Sequence, residues 1–268
     1  MVTNLQAKAG PHLGDRIDMR ILALCPDRRD SNLLALCRIM DYIGVRYDVF
    51  ATNEADLTRE LLWQGAHARY QGIILSTGYL AAWNSALTDW YDPLDDNEWE
   101  VLHAYQLRFG IRLATFSGIP RIAATTNALL IHEPAAPHAP PLTLTLTDVG
   151  SQVFWYLNKT CSIPVLSGTA IGVTPMTIAS TPLLVAMDGL TYGAIWSTGD
   201  GCEYLSLMLG HSELALHTLL LGYGVLNWVT CGVFLGERRV SLNLQIDDIF
   251  NSNQLWEAER DAEAGDTI

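Results

Sequence analysis

Between Met19 and Ile119, short runs of consecutive apolar residues alternate with stretches of helical periodicity, and that alternation leaves few folds open. The strands read over Met19 to Cys25 and Gly72 to Ser76 are apolar at adjacent positions through Ile21 to Cys25 and Gly72 to Leu75, as strands covered on both faces must be. Between them, Asp30-Ser31 is a helix cap, Leu33, Leu34, Leu36, Cys37, Ile39 and Met40 form one apolar face, and Gly44 closes the helix. A strand over Tyr47 to Ala51, a helix over Glu54 to Gln64, a helix over Asn97 to Phe109 and a strand over Ile111 to Phe116 complete the series. Strands joined by helices need crossover connections, so the pattern predicts an α/β fold around a parallel sheet with both faces covered. In such a sheet a ligand would sit at the carboxyl ends of the strands, near Pro26 to Arg29, Thr52 to Glu54 and Ser76 to Tyr79, although no glycine-rich phosphate loop lies there.

A Pro/Ala stretch from Glu133 to Pro141 interrupts this pattern. Beyond it come alternating Thr, Val, Leu and Ser over Leu142 to Thr147, Thr177 to Ala179, Pro182 to Met187, Thr191 to Ser197 and Cys202 to Leu207. Asp188-Gly189 is a hairpin signal and Gly199-Asp200-Gly201 a second turn, so the middle of the chain is read as antiparallel β structure. His211 to Cys231 returns to an almost wholly apolar helix, Val240 to Ile246 is a strand, and Asn251 to Ile268, with five acids and one Arg, is expected to form no ordered element. The expected division is an α/β domain over 18–135, a β-rich segment over 136–210, and a helix plus one strand over 211–268.

The formal net charge of −13 provides no basic stripe for neutralising phosphates, which argues against nucleic acid and anionic membranes as partners and favours a cationic or neutral polymer. No run reaches the roughly 18 apolar residues of a spanning helix, and Met1 to Asp15 lacks the apolar core of a signal peptide. The five cysteines, Cys25, Cys37, Cys161, Cys202 and Cys231, follow no metal-knuckle or C-x-x-C spacing.

Among possible site residues, Trp83, Trp90 and Tyr91 fall in a loop-like stretch after the third strand, where aromatic faces can stack on sugar rings; core packing is the commoner fate of any single Trp. His211 sits at a helix start and His217 lies six residues on, which on a helix leaves the rings about 120° apart and unable to share an ion. Asp247-Asp248 closes the strand Val240 to Ile246. One acid of such a pair can hold a divalent metal while the other takes a proton from the metal's water. The bland alternative is a strand-end turn in which the two side chains cap backbone N–H groups. All seven histidines precede Asp247, so the set of about three ligands that a metal hydrolase needs is not completed in the sequence.

The stretch Asn227 to Gly232, then Gly236-Glu-Arg-Arg239, then Leu242-Asn-Leu-Gln-Ile-Asp-Asp-Ile-Phe250 resembles the entry into the deacetylase domain of galactosaminogalactan deacetylases of fungi and related bacterial proteins. Pel-polysaccharide deacetylases are similar in plan. The resemblance implies an extracellular polysaccharide deacetylase whose amino-terminal region binds carbohydrate, with Asp247 as general base and Asp248 as first ligand of a zinc-like divalent metal. It further implies that Val240 to Ile246 is the first strand of a deacetylase barrel. The sequence departs from that family in lacking the later histidines. The expectation is therefore an amino-terminal portion truncated just after Asp-Asp, not catalytic alone, partnered by polysaccharide and by a downstream deacetylase fragment or a second copy. Before that point the element order resembles a flavodoxin- or amidotransferase-like scaffold, with Ser76-Thr77-Gly78-Tyr79 where an amidotransferase carries its Cys elbow. The alternative function is a standalone amidotransferase-like enzyme using Cys25 or Cys202.

Overall fold

The structure, a computed structural model, describes residues 10–80, 82–84, 89–91, 93–119, 129–131, 141–175, 180–236, 253–257 and 262–266. Two compact units divide the chain, Met1–Arg238 and Arg239–Ile268. The expected boundaries at 135/136 and 210/211 both fall inside the first unit.

In chain order its elements are β1 (Arg16–Ile17), β2 (Ile21–Cys25), α1 (Ser31–Ile43), β3 (Tyr47–Ala51), α2 (Arg59–Leu62), β4 (Trp63–Gln64), β5 (His67–Ala68), β6 (Gly72–Leu75), β7 (Ala82–Asn84), β8 (Asp89–Tyr91), α3 (Asp96–Phe109) and β9 (Arg112–Thr115). There follow β10 (Leu129–Ile131), β11 (Leu142–Leu146), α4 (Asp148–Val153), β12 (Ile163–Val165), β13 (Val173–Pro175), β14 (Ser180–Ala186), β15 (Thr191–Ser197), β16 (Glu203–Leu207) and α5 (Leu216–Val229).

One large mixed sheet runs β12-β11-β14-β15-β16-β9-β6-β2-β3, with β13 pairing β15 and β10 pairing β13 beside it. From β16 to β3 every neighbour is parallel, with Ile21 opposite both Tyr47 and Gly72, and Tyr204 opposite Leu113. From β12 to β16 every neighbour is antiparallel. The parallel and β-rich halves thus share β16 and form one continuous surface. No closed barrel is formed by the described residues.

Strand alternation sends Ile21, Ala23 and Cys25 into one core with α1 and α5, and Leu22 and Leu24 into a second core with Tyr105 and Phe109 of α3. That two-sided demand explains why β2 shows no polar position, all five residues being buried. Helix α1 begins where Asp30 accepts the Asn32 N–H and ends where Gly44 takes φ 81°, as the sequence signals require. Helix α3 carries a full capping box between Asp95 and Glu98.

Four expectations change. The helix expected over Glu54 to Gln64 shrinks to the single turn Arg59–Leu62, because Trp63 leaves it to pair with Ala68 in a small sheet of β1, β5 and β4. The loop-like stretch holding Trp83, Trp90 and Tyr91 contains a hairpin, with Trp83 directly opposite Trp90 and Ala82 opposite Tyr91. Helix α5 starts at Leu216, not His211. In the second unit, β17 (Asn253–Glu257) and β18 (Ala262–Asp266) pair antiparallel, with Leu255 opposite Ala264, where no ordered element was expected. The strand expected over Val240 to Ile246 lies outside the described residues, as do Asp247 and Asp248.

Candidate functional site

At the carboxyl ends of the parallel strands the loops are tied to one another. Arg28 Nε bonds Glu54 at 3.0 Å, Asn53 donates to Asp27 at 3.2 Å, and the Thr52 hydroxyl donates to the Cys25 carbonyl at 3.2 Å. Gly78 presses so closely on the Ile119 backbone that a Cβ there would overlap it, and Leu80, fully buried, takes a left-handed φ of 50°.

A polar cleft opens at the other end. Arg20 immediately precedes β2, Asp48 is the second residue of β3, and Arg69 and Tyr70 lead into β6, so the parallel register at Ile21, Tyr47 and Gly72 aligns them. With Asp18, Gln64 and His67 they line a cleft of about 330 Å³. Arg20 Nη1 donates to both Asp48 oxygens, at 3.1 and 2.8 Å, and the Tyr70 hydroxyl donates to Asp48 Oδ2 at 3.1 Å. His67 Nε2 lies 2.8 Å from Asp18 Oδ1, with Arg16 Nη2 3.2 Å from the same imidazole nitrogen.

The Asp48 hydrogen bond raises the Arg20 guanidinium pKa further, while burial and then the Asp48 charge push the Tyr70 phenol up to about 12. Both side chains therefore keep their protons as donors at neutral pH. Tyr70 is held from behind: its N–H donates to the Tyr105 hydroxyl at 2.9 Å, and that hydroxyl donates to the Tyr70 carbonyl. The Trp63 ring stacks on Tyr105 at 5.6 Å in the core behind the cleft.

Carboxylate, guanidinium, imidazole, phenol and amide around one small cleft supply acceptors and donors in the mixture that vicinal hydroxyl and acetamido groups need. The volume falls at the lower end of the roughly 300–1,000 Å³ range of small-molecule sites. Nothing in the sequence marks these residues as a group. They are spread from 18 to 70 without a motif, and only strand register assembles them.

The sequence-expected residues fall as follows. Trp83 and Trp90 occupy directly opposed positions on β7 and β8, and Tyr91 the next position along. Asp247 and Asp248 lie outside the described residues. The two thiols of the alternative reading are buried. Burial pushes Cys25 up to about 12, and burial followed by the Asp200 charge pushes Cys202 up to about 11. Those shifts are opposite to what a thiolate nucleophile needs. The sequence did not reveal a partner for Cys202; the fold places His103 Nδ1 3.9 Å from its sulfur.

His211 and His217 approach each other, contrary to the helical spacing, because residues 211 to 215 precede α5; their ring centroids are 5.2 Å apart. Each ring already has a partner. His211 Nδ1 bonds Thr218 Oγ1 at 2.9 Å and His217 Nε2 bonds the Gly210 carbonyl at 3.0 Å. Among the described residues no helix is long and apolar enough to cross a membrane.

Residues 17–136, which contain every residue of the cleft and the Trp83–Trp90 hairpin, match the Agd3 CBM87 family model of carbohydrate-binding modules. The chain superposes on the crystal structure of Agd3, described as a novel carbohydrate deacetylase, with a TM-score of 0.70 and 18% identity over 95% of this chain. It spans 38% of the length of that solved structure. A GMP synthase component from Thermoplasma acidophilum shares the fold at a TM-score of 0.52 and 13% identity, covering 80% of this chain and 96% of that one. The N-terminal domain of mmIFT52 does so at 0.51 and 11%, covering 81% of this chain and all of that one, 100%. No curated protein matches the sequence. The carbohydrate deacetylase resemblance and the mixed α/β, amidotransferase-like architecture expected from the sequence are both found.

Proposed function

We propose that this chain is the carbohydrate-binding amino-terminal module of an extracellular polysaccharide deacetylase, and that it grips one residue of an N-acetylgalactosamine-type polymer in the cleft between Asp18, Arg20, Asp48, His67 and Tyr70. The observation that carries the reading is that this cleft lies wholly within the segment matching a carbohydrate-binding family. Asp48, held by Arg20 and Tyr70, presents a fixed acceptor for a sugar hydroxyl or ammonium group, and His67 with Asp18 forms a second polar edge. The Trp83–Trp90 hairpin is assigned a stacking role along the polymer on sequence and register alone. Asp247 as base and Asp248 as ligand of a zinc-like ion enter the proposal from sequence resemblance. The role proposed for these 268 residues is binding.

The test is affinity for partly deacetylated galactosamine oligomers, measured by calorimetry. Asp48→Asn and Arg20→Ala each remove a charge-assisted contact and should weaken binding at least about tenfold, in line with about 1.5–3 kcal/mol for hydrogen bonds to charged groups. Unchanged affinity in both variants would place the ligand elsewhere.

A further inference from the structure

Further along the same edge of the sheet, at β16, three dissimilar donor groups converge where no family or sequence motif points. His103 comes from the middle of α3, and Asp200 and Cys202 come from the turn that leads into β16. The parallel pairing of β16 with β9, the strand that follows α3, brings that turn to the helix. We propose that His103, Asp200 and Cys202 bind a zinc-class divalent cation.

The geometry is close to a ligand set. One donor atom from each residue lies within 4.8 Å of the others, and this is the group of three or more such residues that the described part of the chain brings together. His103 Nε2 stands 2.8 Å from Asp200 Oδ2, and Cys202 Sγ stands 3.9 Å from His103 Nδ1. Donors about a tetrahedral zinc, at about 2.0–2.3 Å from the metal, are about 3.3–3.7 Å from each other. An ion therefore requires the carboxylate and imidazole to part slightly and the thiol to close in, with the imidazole turning to offer one nitrogen. Motions of this size are within reach of a surface turn and a half-exposed side chain.

The donor chemistry selects the metal. Sulfur, imidazole nitrogen and carboxylate oxygen together suit zinc and its borderline relatives, not calcium or magnesium, which take oxygen donors. The site is also built from behind. Asp200 Oδ1 accepts from the Thr198 hydroxyl and from the Cys202 N–H at 3.3 Å, which leaves Oδ2 directed at His103. Such fixing of a ligand carboxylate by outer groups is what orients a metal site. Gly201 takes φ 94°, so the turn can place Asp200 and Cys202 on the same side.

Cys202 is 3% exposed and backs the site, whereas the His103 and Asp200 side chains are 34% and 38% exposed and leave an entry path. Three protein donors with one open side leave the fourth position to water or to a ligand group. A thiol must lose its proton to ligate, so loading releases a proton and affinity rises with pH. For Asp200, burial pulls the carboxyl pKa upward, but hydrogen bonds from the Thr198 hydroxyl and the Cys202 N–H lower it overall.

The test is cobalt(II) titration of the full chain carrying Cys161→Ser and Cys231→Ser, since those two thiols are exposed and could give an unrelated signal. We expect a near-ultraviolet cobalt–thiolate charge-transfer band that saturates at one equivalent, is displaced by zinc, and disappears in Cys202→Ser. His103→Gln and Asp200→Asn should weaken zinc at least tenfold while leaving circular dichroism unchanged, and should abolish any zinc-induced rise in melting temperature. Absence of the band, or its persistence in Cys202→Ser, overturns the proposal. Because the readout needs no polysaccharide, its failure and that of the carbohydrate reading are separable.

Discussion

The imidazole of His211 lies nearly flat on the ring of Phe116, with centroids 4.0 Å apart and planes 23° from parallel. The contact joins the loop after β9 to the segment leading into α5, and His211 N–H also donates to Asn32 at the start of α1. One residue, through its ring and its backbone N–H, thus couples three elements at the carboxyl edge of the sheet.

That position makes stability depend on pH. Burial, and then the neighbouring His217, push the His211 pKa from 6.5 down to about 3, and burial lowers His217 as well. Above pH 6.5 both folded and unfolded chains carry the neutral ring, so stability is at its full value. As pH falls from 6.5 toward 3 the unfolded chain takes up a proton that the folded one refuses, and stability drops by roughly 1.4 kcal/mol per pH unit from this group. Urea unfolding of His211→Phe between pH 7 and 4 should show a shallower acid decline. An identical slope in the variant would assign the acid sensitivity to other groups.

Removing the Tyr105 hydroxyl should weaken both fold and ligand binding. Tyr105→Phe strands the buried N–H and C=O of Tyr70, which that hydroxyl satisfies, at a cost of about 1–3 kcal/mol. Thermal unfolding checks the stability loss. Calorimetry on the folded variant should show weaker sugar binding, since Tyr70 then holds Asp48 less firmly.

Retention on insoluble polymer tests the hairpin. Trp83→Ala and Trp90→Ala together should lower retention severalfold, and Tyr91→Ala less, because Tyr91 does not share the opposed pair. With a net charge of −13, retention on the deacetylated, cationic polymer should also fall as salt rises, through screening of exposed charges. Retention indifferent to salt and to the double substitution would remove the hairpin from the binding surface.

The isolated chain should release no acetate from N-acetylated galactosamine oligomers in the presence of zinc, cobalt or nickel. The reason is that, within the 268 residues tested, the resemblance assigns a ligand role to Asp248 alone, where a metal hydrolase needs about three ligands. Acetate release that vanishes in Asp248→Ala would show that the chain assembles a working centre by itself.

What the sequence determined on its own is the set of features governed by near neighbours. Asp30 and Gly44 bound α1 because a cap satisfies helix-end groups a few residues away, and Asp188-Gly189 turns the chain between β14 and β15 with Gly189 at φ 81°. The two-sided apolar demand of β2 makes the parallel sheet legible in the sequence alone. Pairings across long sequence distances were decided only in three dimensions. The helix expected over Glu54 to Gln64 gave way when Trp63 found Ala68 as a strand partner, since tertiary packing outweighs helix propensities of tenths of a kcal/mol. His211 lost its expected helical position in the same way, to a stack on Phe116. The cleft residues meet because Ile21 registers with Tyr47 and Gly72, and His103 meets Cys202 because β16 docks parallel to β9. No local pattern encodes such registers; they are set by which side chains fill the two cores on either face of the sheet.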